Sequence, residues 1–243
     1  CAAAADVVGA PLQLLPGETE AALSYTGASA GLPPGDGPWL MVDIGGGSTE
    51  LAAGAGPGEA VSLDVGCVRL TERHFHGDPP SAAEIEAAQR WLTALLDRAQ
   101  NRAPALRSAR SLVGLAGTVS ALACWVQGLT EYRRDVVHHY WLSRADVRRA
   151  LDEFCAVPAH KRAGLPGIEA ERAQYIVGGT LVLAAVMEHF AMERCLVSEA
   201  DILDGLVYEL ARDDAGPRAG GSSPARRPGS IGHHDVGPWD GFS

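Results

Sequence analysis

Residues 41–54, MVDIGGGSTELAAG, set three consecutive glycines between two apolar runs, with Asp43 just before them and Glu50 just after. Glycine loses more conformational freedom on folding than any other residue, so a run of three in such a place needs a cause. One cause is a tight hairpin. The other is close approach of an anion, on which glycine N–H groups converge because no Cβ stands in the way. In that second case Gly45, Gly46 and Gly47 supply backbone donors, and Ser48 and Thr49 add hydroxyls. Asp43, at the end of a strand, is then a carboxylate suited to magnesium, directly or through water. Glu50 starts the return strand, where alternation leaves it near the loop or on the solvated face. No G-K-[ST] follows, which excludes a P-loop.

A second turn of similar composition lies in LVGLAGTVSA, where a strand runs into Gly117 and Thr118 and then into a helix. Such a helix start presents unpaired N–H groups and a positive dipole end to an anion. The plainer alternative is that Thr118 caps the helix. Glu18 and Glu20 fall in the first turn of a helix expected over 18–28, where acids also serve the dipole alone. Histidines offer little: His74 and His76 are two apart, His138 and His139 point to opposite faces of any strand, and His233 and His234 are near the end. Arg69, Arg73, Lys161, Arg162 and Arg172 are available to contact a polyanion, although scattered basic side chains are ordinarily just solvated.

These residues need a scaffold. WLMVDI (39–44) reads as a central strand, TELAAGA (49–55) as its hairpin partner, and AVSLDVG (60–66) as a third, alternating strand. Residues 6–15 suit a helix end followed by a strand. A helix over 81–100 carries a capping box in Ser81 and Glu84. Residues 111–125 read as strand, turn and helix, 136–142 as a strand, and 143–156 as a helix capped by Ser143. A single long apolar helix is expected over 167–190, a last strand over 193–198 and a last helix over 201–212. Three strands on short loops followed by strand–helix pairs indicate an α/β domain, a mixed β-sheet with flanking helices.

The 243 residues are 47% hydrophobic and 21% charged, the profile of an ordinary globular chain. A net charge of −10 argues against nucleic-acid binding. It also means that a polyanionic substrate needs local arginines or a divalent cation. Five scattered cysteines without a C-x-x-C pair suggest free thiols in a reducing, cytoplasmic setting. No run is long and apolar enough to span a bilayer, and CAAAADVVGAPLQ lacks the basic start of a signal peptide.

Four segments in this order, GETEAALSYTGA, MVDIGGGSTEL, SLDVGCVRLTER and VGLAGTVSALA, resemble the exopolyphosphatase / guanosine pentaphosphate phosphohydrolase family. ERAQYIVGGTLVLAAVMEHF and CLVSEADILDGL are similar to its actinobacterial members, so the resemblance spans roughly 6–212. It implies a ribonuclease-H-like fold of the actin, sugar-kinase and heat-shock ATPase superfamily. It implies Mg²⁺-dependent release of terminal phosphate from polyphosphate or guanosine pentaphosphate, the latter a stringent-response nucleotide. The family's catalytic glutamate precedes the alanine of a G-x-E-E-A segment, which here is Glu20, with Thr19 at the other acidic position. Its implied role is general base. Asp43–Glu50 falls on the family's second phosphate loop, with Asp43 and Glu50 as metal ligands, and Gln174 stands where many relatives have an acid.

No D-x-G-S-N-S segment, the first phosphate loop of the family, is found in this sequence. The expectation is therefore a remnant of the first lobe and crossover helix over 1–30, the second phosphatase lobe over 31–212, and a disordered tail over 213–243. An exposed apolar face and a homodimer would follow. The alternative expectation is an inactive lobe that binds polyphosphate or a protein partner.

Overall fold

The computed structural model describes residues 2–12, 14–33, 35–54 and 59–214. Among them six strands form one sheet: β1 (Trp39–Ile44), β2 (Thr49–Ala52), β3 (Ala60–Leu63), β4 (Ser111–Leu115), β5 (Trp141–Ser143) and β6 (Arg194–Val197). Their order is β3-β2-β1-β4-β6-β5. The first three strands form an antiparallel meander, β1, β4 and β6 run parallel, and β5 closes the far edge antiparallel to β6.

The helices are α1 (Ala2–Val8), α2 (Gly17–Ser29), α3 (Cys67–His74), α4 (Ala82–Arg102) and α5 (Ala116–Gln127). They continue with α6 (Arg134–Val137), α7 (Arg144–Ala156), α8 (Ala159–Arg162), α9 (Ile176–His189) and α10 (Ile202–Asp214). The expected capping boxes are present, Ser81 with Glu84 at α4 and Ser143 with Asp146 at α7. No helix among the described residues is long and apolar enough to cross a membrane.

Strand alternation divides the core. Leu40, Val42, Ile44, Leu51, Val61 and Leu63 face a large cluster that includes Leu70 of α3, Leu92 and Leu96 of α4, and Leu181 and Leu183 of α9. Each such leucine, fully buried, contributes roughly 2 kcal/mol of transfer free energy. Trp39, Met41, Ala52, Ala60, Val113 and Leu115 face the opposite side, where Ala21 and Ala28 of α2 cover them. Asp43, Glu50 and Ser62 share the parity of this second face, so β1, β2 and β3 all present polar side chains toward the start of α2. Helix α10 lies against α2, and the two backbones touch where Gly27 meets Gly205: a Cβ on either would overlap main-chain atoms of the other segment. The remaining side of α10 leaves Leu203, Leu206, Val207 and Leu210 exposed, the i, i+3, i+4, i+7 stripe of an uncovered helix face.

Four expectations change. Residues 136–142 are not one strand: Val136 and Val137 end the α6 turn with Val137 buried, His139 takes a left-handed φ of 65°, and only Trp141–Ser143 pairs as β5. His138 and His139 consequently stack, their ring centroids 3.8 Å apart, instead of pointing to opposite faces. The helix expected over 167–190 begins only at Ile176. Gly167, at φ 71°, packs on Cys124 of α5, and the polar stretch behind it closes in short turns such as Arg172 N–H to Glu169 O. Tertiary packing overrides helix propensity there. CVRLTERH, left unassigned by pattern, is α3. Residues 6–15 hold the end of α1 and, among those described, no strand. The expected tail lies outside the described residues beyond Asp214.

Candidate active site

The carboxyl ends of the parallel strands β1, β4 and β6 lead into three segments side by side, 45–48, 116–118 and 198–201. In open α/β sheets this is where ligands bind.

The first segment is the glycine loop. Gly45 N–H donates to Ser48 O at 3.1 Å, closing the hairpin. The carbonyls of Gly45 and Gly46 turn toward the start of α3 and accept from the N–H groups of Cys67, Val68 and Arg69 at 2.9–3.1 Å. The α3 terminus is thereby spent on bracing the loop. Among the described residues, the N–H groups of Gly46 and Gly47 have no backbone acceptor, and both residues are exposed. None of the three glycines has a positive φ. A Cβ on Gly46 or Gly47 would come no nearer than 3.4 Å to any side chain. The fold itself thus makes no demand for glycine at these two positions.

Around the loop, carboxylates gather on the α2 side. Asp43 Oδ2 accepts from Ser24 Oγ at 3.2 Å. Burial pushes its carboxyl up to about 6, against the Ser24 hydrogen bond and with the negative charges of Glu20 and Asp201 adding. Glu50, register partner of Asp43, is 2% exposed and accepts from Ser62 Oγ at 2.7 Å. Burial lifts it to about 7, opposed by hydrogen bonds from Ser62 and Ser48 and reinforced by Glu20 and Asp43. Its place is neither the solvated face nor the loop tip but the buried interface with α2. Gly17 makes that interface possible, since a Cβ there would sit 2.5 Å from Ser62 Cβ. Glu20 is half-buried, one helical turn before Ser24 on the same face of α2. Among the described residues none of Glu20, Asp43, Glu50 and Asp201 forms an ion pair. Glu18, by contrast, pairs with Arg102 on the surface at 2.9 Å.

The second segment turns β4 into α5. Ala116 takes a left-handed φ of 68°, rare for a residue with a Cβ, to make this turn. The Arg172 guanidinium lies directly over Gly117, where a Cβ would overlap it. A helix N-terminus and a guanidinium therefore converge on one spot.

The structure sorts the sequence candidates. Glu20, Asp43, the glycines 45–47, Ser48, Glu50 and Gly117 come together along one edge. Thr49 does not face it: it is fully buried and its Oγ1 donates to Val65 O at 2.6 Å on the other side of the sheet. Thr118 is also buried, packed on Gly179 of α9, and it is not the helix cap, since Leu115 occupies that position without a side-chain bond. Of the basic candidates, Arg69 sits beside Gly47 while paired with Asp64, and Arg172 covers Gly117. Arg162 is buried against Asp78, Arg73 lies over Trp91 and Lys161 is exposed on α8. Sequence reasoning missed Ser24, Ser62 and Asp201. The first was legible as Glu20 plus four on a helix, the second as the outward alternation of β3.

Among the described residues no cluster of three or more His, Cys, Asp or Glu side chains is placed to hold a metal ion. The donor set still fits Mg²⁺, which needs only one or two carboxylates beside water and substrate phosphate oxygens. Asp43 and Glu50 are two oxygen donors in an uncompensated acidic pocket.

A family model described as the Ppx/GppA phosphatase family matches residues 1–213. Exopolyphosphatase 2 of Mycobacterium tuberculosis is 37% identical over 217 residues, covering 85% of this chain and 68% of that protein. Guanosine-5'-triphosphate,3'-diphosphate pyrophosphatase of Vibrio vulnificus is 32% identical over 233 residues, covering 90% of this chain but 44% of its own length. A crystal structure of the Aquifex aeolicus family member superposes with a TM-score of 0.77 at 27% identity, covering 86% of this chain and 67% of that one. The chain shares the actin-like ATPase fold of these phosphatases. The chain belongs to the Ppx/GppA phosphatase family.

Proposed function

We propose that this chain hydrolyses a terminal phosphoric anhydride, in inorganic polyphosphate or guanosine pentaphosphate, with Mg²⁺ held by Asp43 and Glu50 and water activated by Glu20. The observation that carries the reading is the glycine loop, where two exposed glycines are required by neither backbone angle nor protein packing. Space kept clear of Cβ atoms beside unbonded N–H groups suits phosphate oxygens.

The roles follow from position. The N–H groups of Gly46 and Gly47 bind the terminal phosphoryl group, while Gly117 and Arg172 hold the phosphate behind it. Glu20, held near the Asp43–Glu50 pair by the packing of α2, takes a proton from the attacking water as the water oxygen bonds to phosphorus. The bond to the bridging oxygen breaks, and the leaving phosphate keeps that electron pair. Asp43 is fixed by Ser24, and Glu50 by Ser62 and Ser48. When bound, Mg²⁺ supplies neutralisation of developing charge on the phosphoryl oxygens.

The test is phosphate release from polyphosphate and from guanosine pentaphosphate in Mg²⁺, comparing the chain with Glu20→Gln. Loss of the general base is expected to lower kcat by about 10²–10⁴. Equal rates for a folded Glu20→Gln protein would end the assignment. A binding lobe that does not hydrolyse is the reading left if neither substrate releases phosphate yet both are bound.

A further inference from the structure

Arg69 is rooted in the glycine loop. Its backbone N–H donates to Gly46 O at 3.1 Å, beside the bonds that Cys67 and Val68 make to the same loop. From that root the guanidinium reaches back over the glycines: Nη2 lies 3.5 Å from the point where a Cβ would stand on Gly47. A phosphoryl group that takes up the Cβ-free space over Gly47 meets Nη2 there.

The guanidinium is engaged through its other nitrogen. Nη1 donates to Asp64, the residue after β3, whereas among the described residues no acceptor meets Nη2. The pair is exposed, with 47% of the Arg69 side chain and 92% of the Asp64 side chain open to solvent. Such a pair contributes little, because water and salt screen it and two side chains give up rotamer freedom to hold it. Phosphate is the stronger claimant. It carries more negative charge than one carboxylate, and its oxygens accept parallel bonds from a guanidinium fork. Arg69 can therefore exchange Asp64 for phosphate while its backbone stays bonded to the loop.

We propose that Arg69 is a catalytic residue that clamps the phosphoryl group being transferred, and that Asp64 competes with the substrate for it. Charge spreads over the oxygens of that group in the transition state, and a guanidinium beside them lowers the barrier. Asp64 touches no substrate and acts through Arg69, so it is a positioning residue that sets affinity. The proposal rests on the phosphatase activity proposed for this site and adds to it a second cation besides Arg172, one that an exposed carboxylate holds in waiting.

The experiment measures phosphate release from tripolyphosphate in Mg²⁺, and tripolyphosphate binding by equilibrium dialysis, for the full chain and its variants. Arg69→Ala is expected to lower kcat about 10- to 100-fold, the worth of hydrogen bonds to a charged group, and to weaken binding. Arg69→Lys keeps the charge without the fork and should recover binding more than kcat. Asp64→Asn releases the arginine and should lower KM and the dissociation constant about two- to fivefold. In the Arg69→Ala background the same change should do almost nothing, because no guanidinium is left to release. Arg69→Gln replaces Arg69→Ala as that background should the alanine variant fail to fold. An equal gain from Asp64→Asn with and without Arg69 means a general loss of negative charge and overturns the competition. Phosphate release that a folded Arg69→Ala protein leaves unchanged overturns the catalytic role and leaves the hydrolase reading standing. Absence of phosphate release from every form, the wild type included, removes the hydrolase and with it the catalytic role, whatever the dialysis shows of phosphate binding.

Discussion

Glu50→Gln should stabilise this protein in alkaline solution and not in acid. Burial lifts the Glu50 carboxyl from an ordinary 4.5 to about 7, with Glu20 and Asp43 adding to the lift and Ser62 and Ser48 opposing it. Between those two values the folded chain holds a proton that the unfolded chain has released. Stability therefore falls as pH rises through this window and is unaffected by Glu50 below it. At about 1.4 kcal/mol per pH unit, the span from 4.5 to about 7 is worth about 3 kcal/mol. Glutamine keeps an acceptor for Ser62 Oγ and removes the ionisation. Urea unfolding in chelator should show the variant more stable than the wild type by up to about 3 kcal/mol at pH 8. The difference should shrink toward zero at pH 4.5. An identical difference at both pH values would refute the reasoning, because a purely steric effect of the amide has no reason to titrate. Under the proposed function Mg²⁺ should restore wild-type stability at pH 8 by binding the folded state, and restore the variant less.

Other perturbations test the scaffold. Gly205→Ala drives a Cβ into the Leu23 carbonyl on α2, so a loss of about 2–3 kcal/mol in urea unfolding is expected, as for overpacking elsewhere. Gly164→Ala, whose Cβ would rest 3.5 Å from its nearest neighbour, should stay within about 0.5 kcal/mol. The stripe Leu203, Leu206, Val207 and Leu210 is expected to drive self-association. Sedimentation velocity should show a concentration-dependent dimer that the double variant Leu206→Glu, Val207→Glu converts to monomer; a wild-type chain that sediments as monomer at every concentration would remove the expectation.

The sequence disclosed those parts whose cause is local. Strand β1, the hairpin and the caps Ser81 and Ser143 follow from alternation, glycine and hydroxyl position, and the structure reproduces them. Residues 167–175 misled because they run directly into the apolar helix α9, and 136–142 because their apolar content fits a strand. Their actual form is set by distant partners: Cys124 against Gly167, and Val197 pairing with the backbone of His139 and Tyr140. The site shows the same division. Asp43, Glu50 and the glycines are visible as a motif, whereas Asp201 enters only because α2 and α10 cross glycine on glycine above the sheet. Thr49 failed as a phosphate donor for a reason the pattern did contain, since alternation puts it on the Leu51 side of β2.

Charge ties the site together. Glu20, Asp43, Glu50 and Asp201 crowd one end of the sheet in a chain of net charge −10, and Arg69 and Arg172 are the cations close to the phosphate turns. Arg69 is paired with Asp64 and Arg172 faces Glu169, so the charge of each is already partly offset. A phosphate ester entering this field would be repelled, and burial would keep a proton on Asp43 up to about pH 6 and on Glu50 up to about pH 7, unless a divalent cation joins them. The same crowding that destabilises the empty site is then what makes it select cation and phosphate together. Binding either alone leaves charge unbalanced, so the two should bind with positive coupling. Tripolyphosphate dialysed with and without Mg²⁺ should differ in affinity for the wild-type chain far more than for Asp43→Asn. A metal-independent affinity would mean that the glycine N–H groups and Arg172 suffice, and that the acids serve only to tune the pH of the fold.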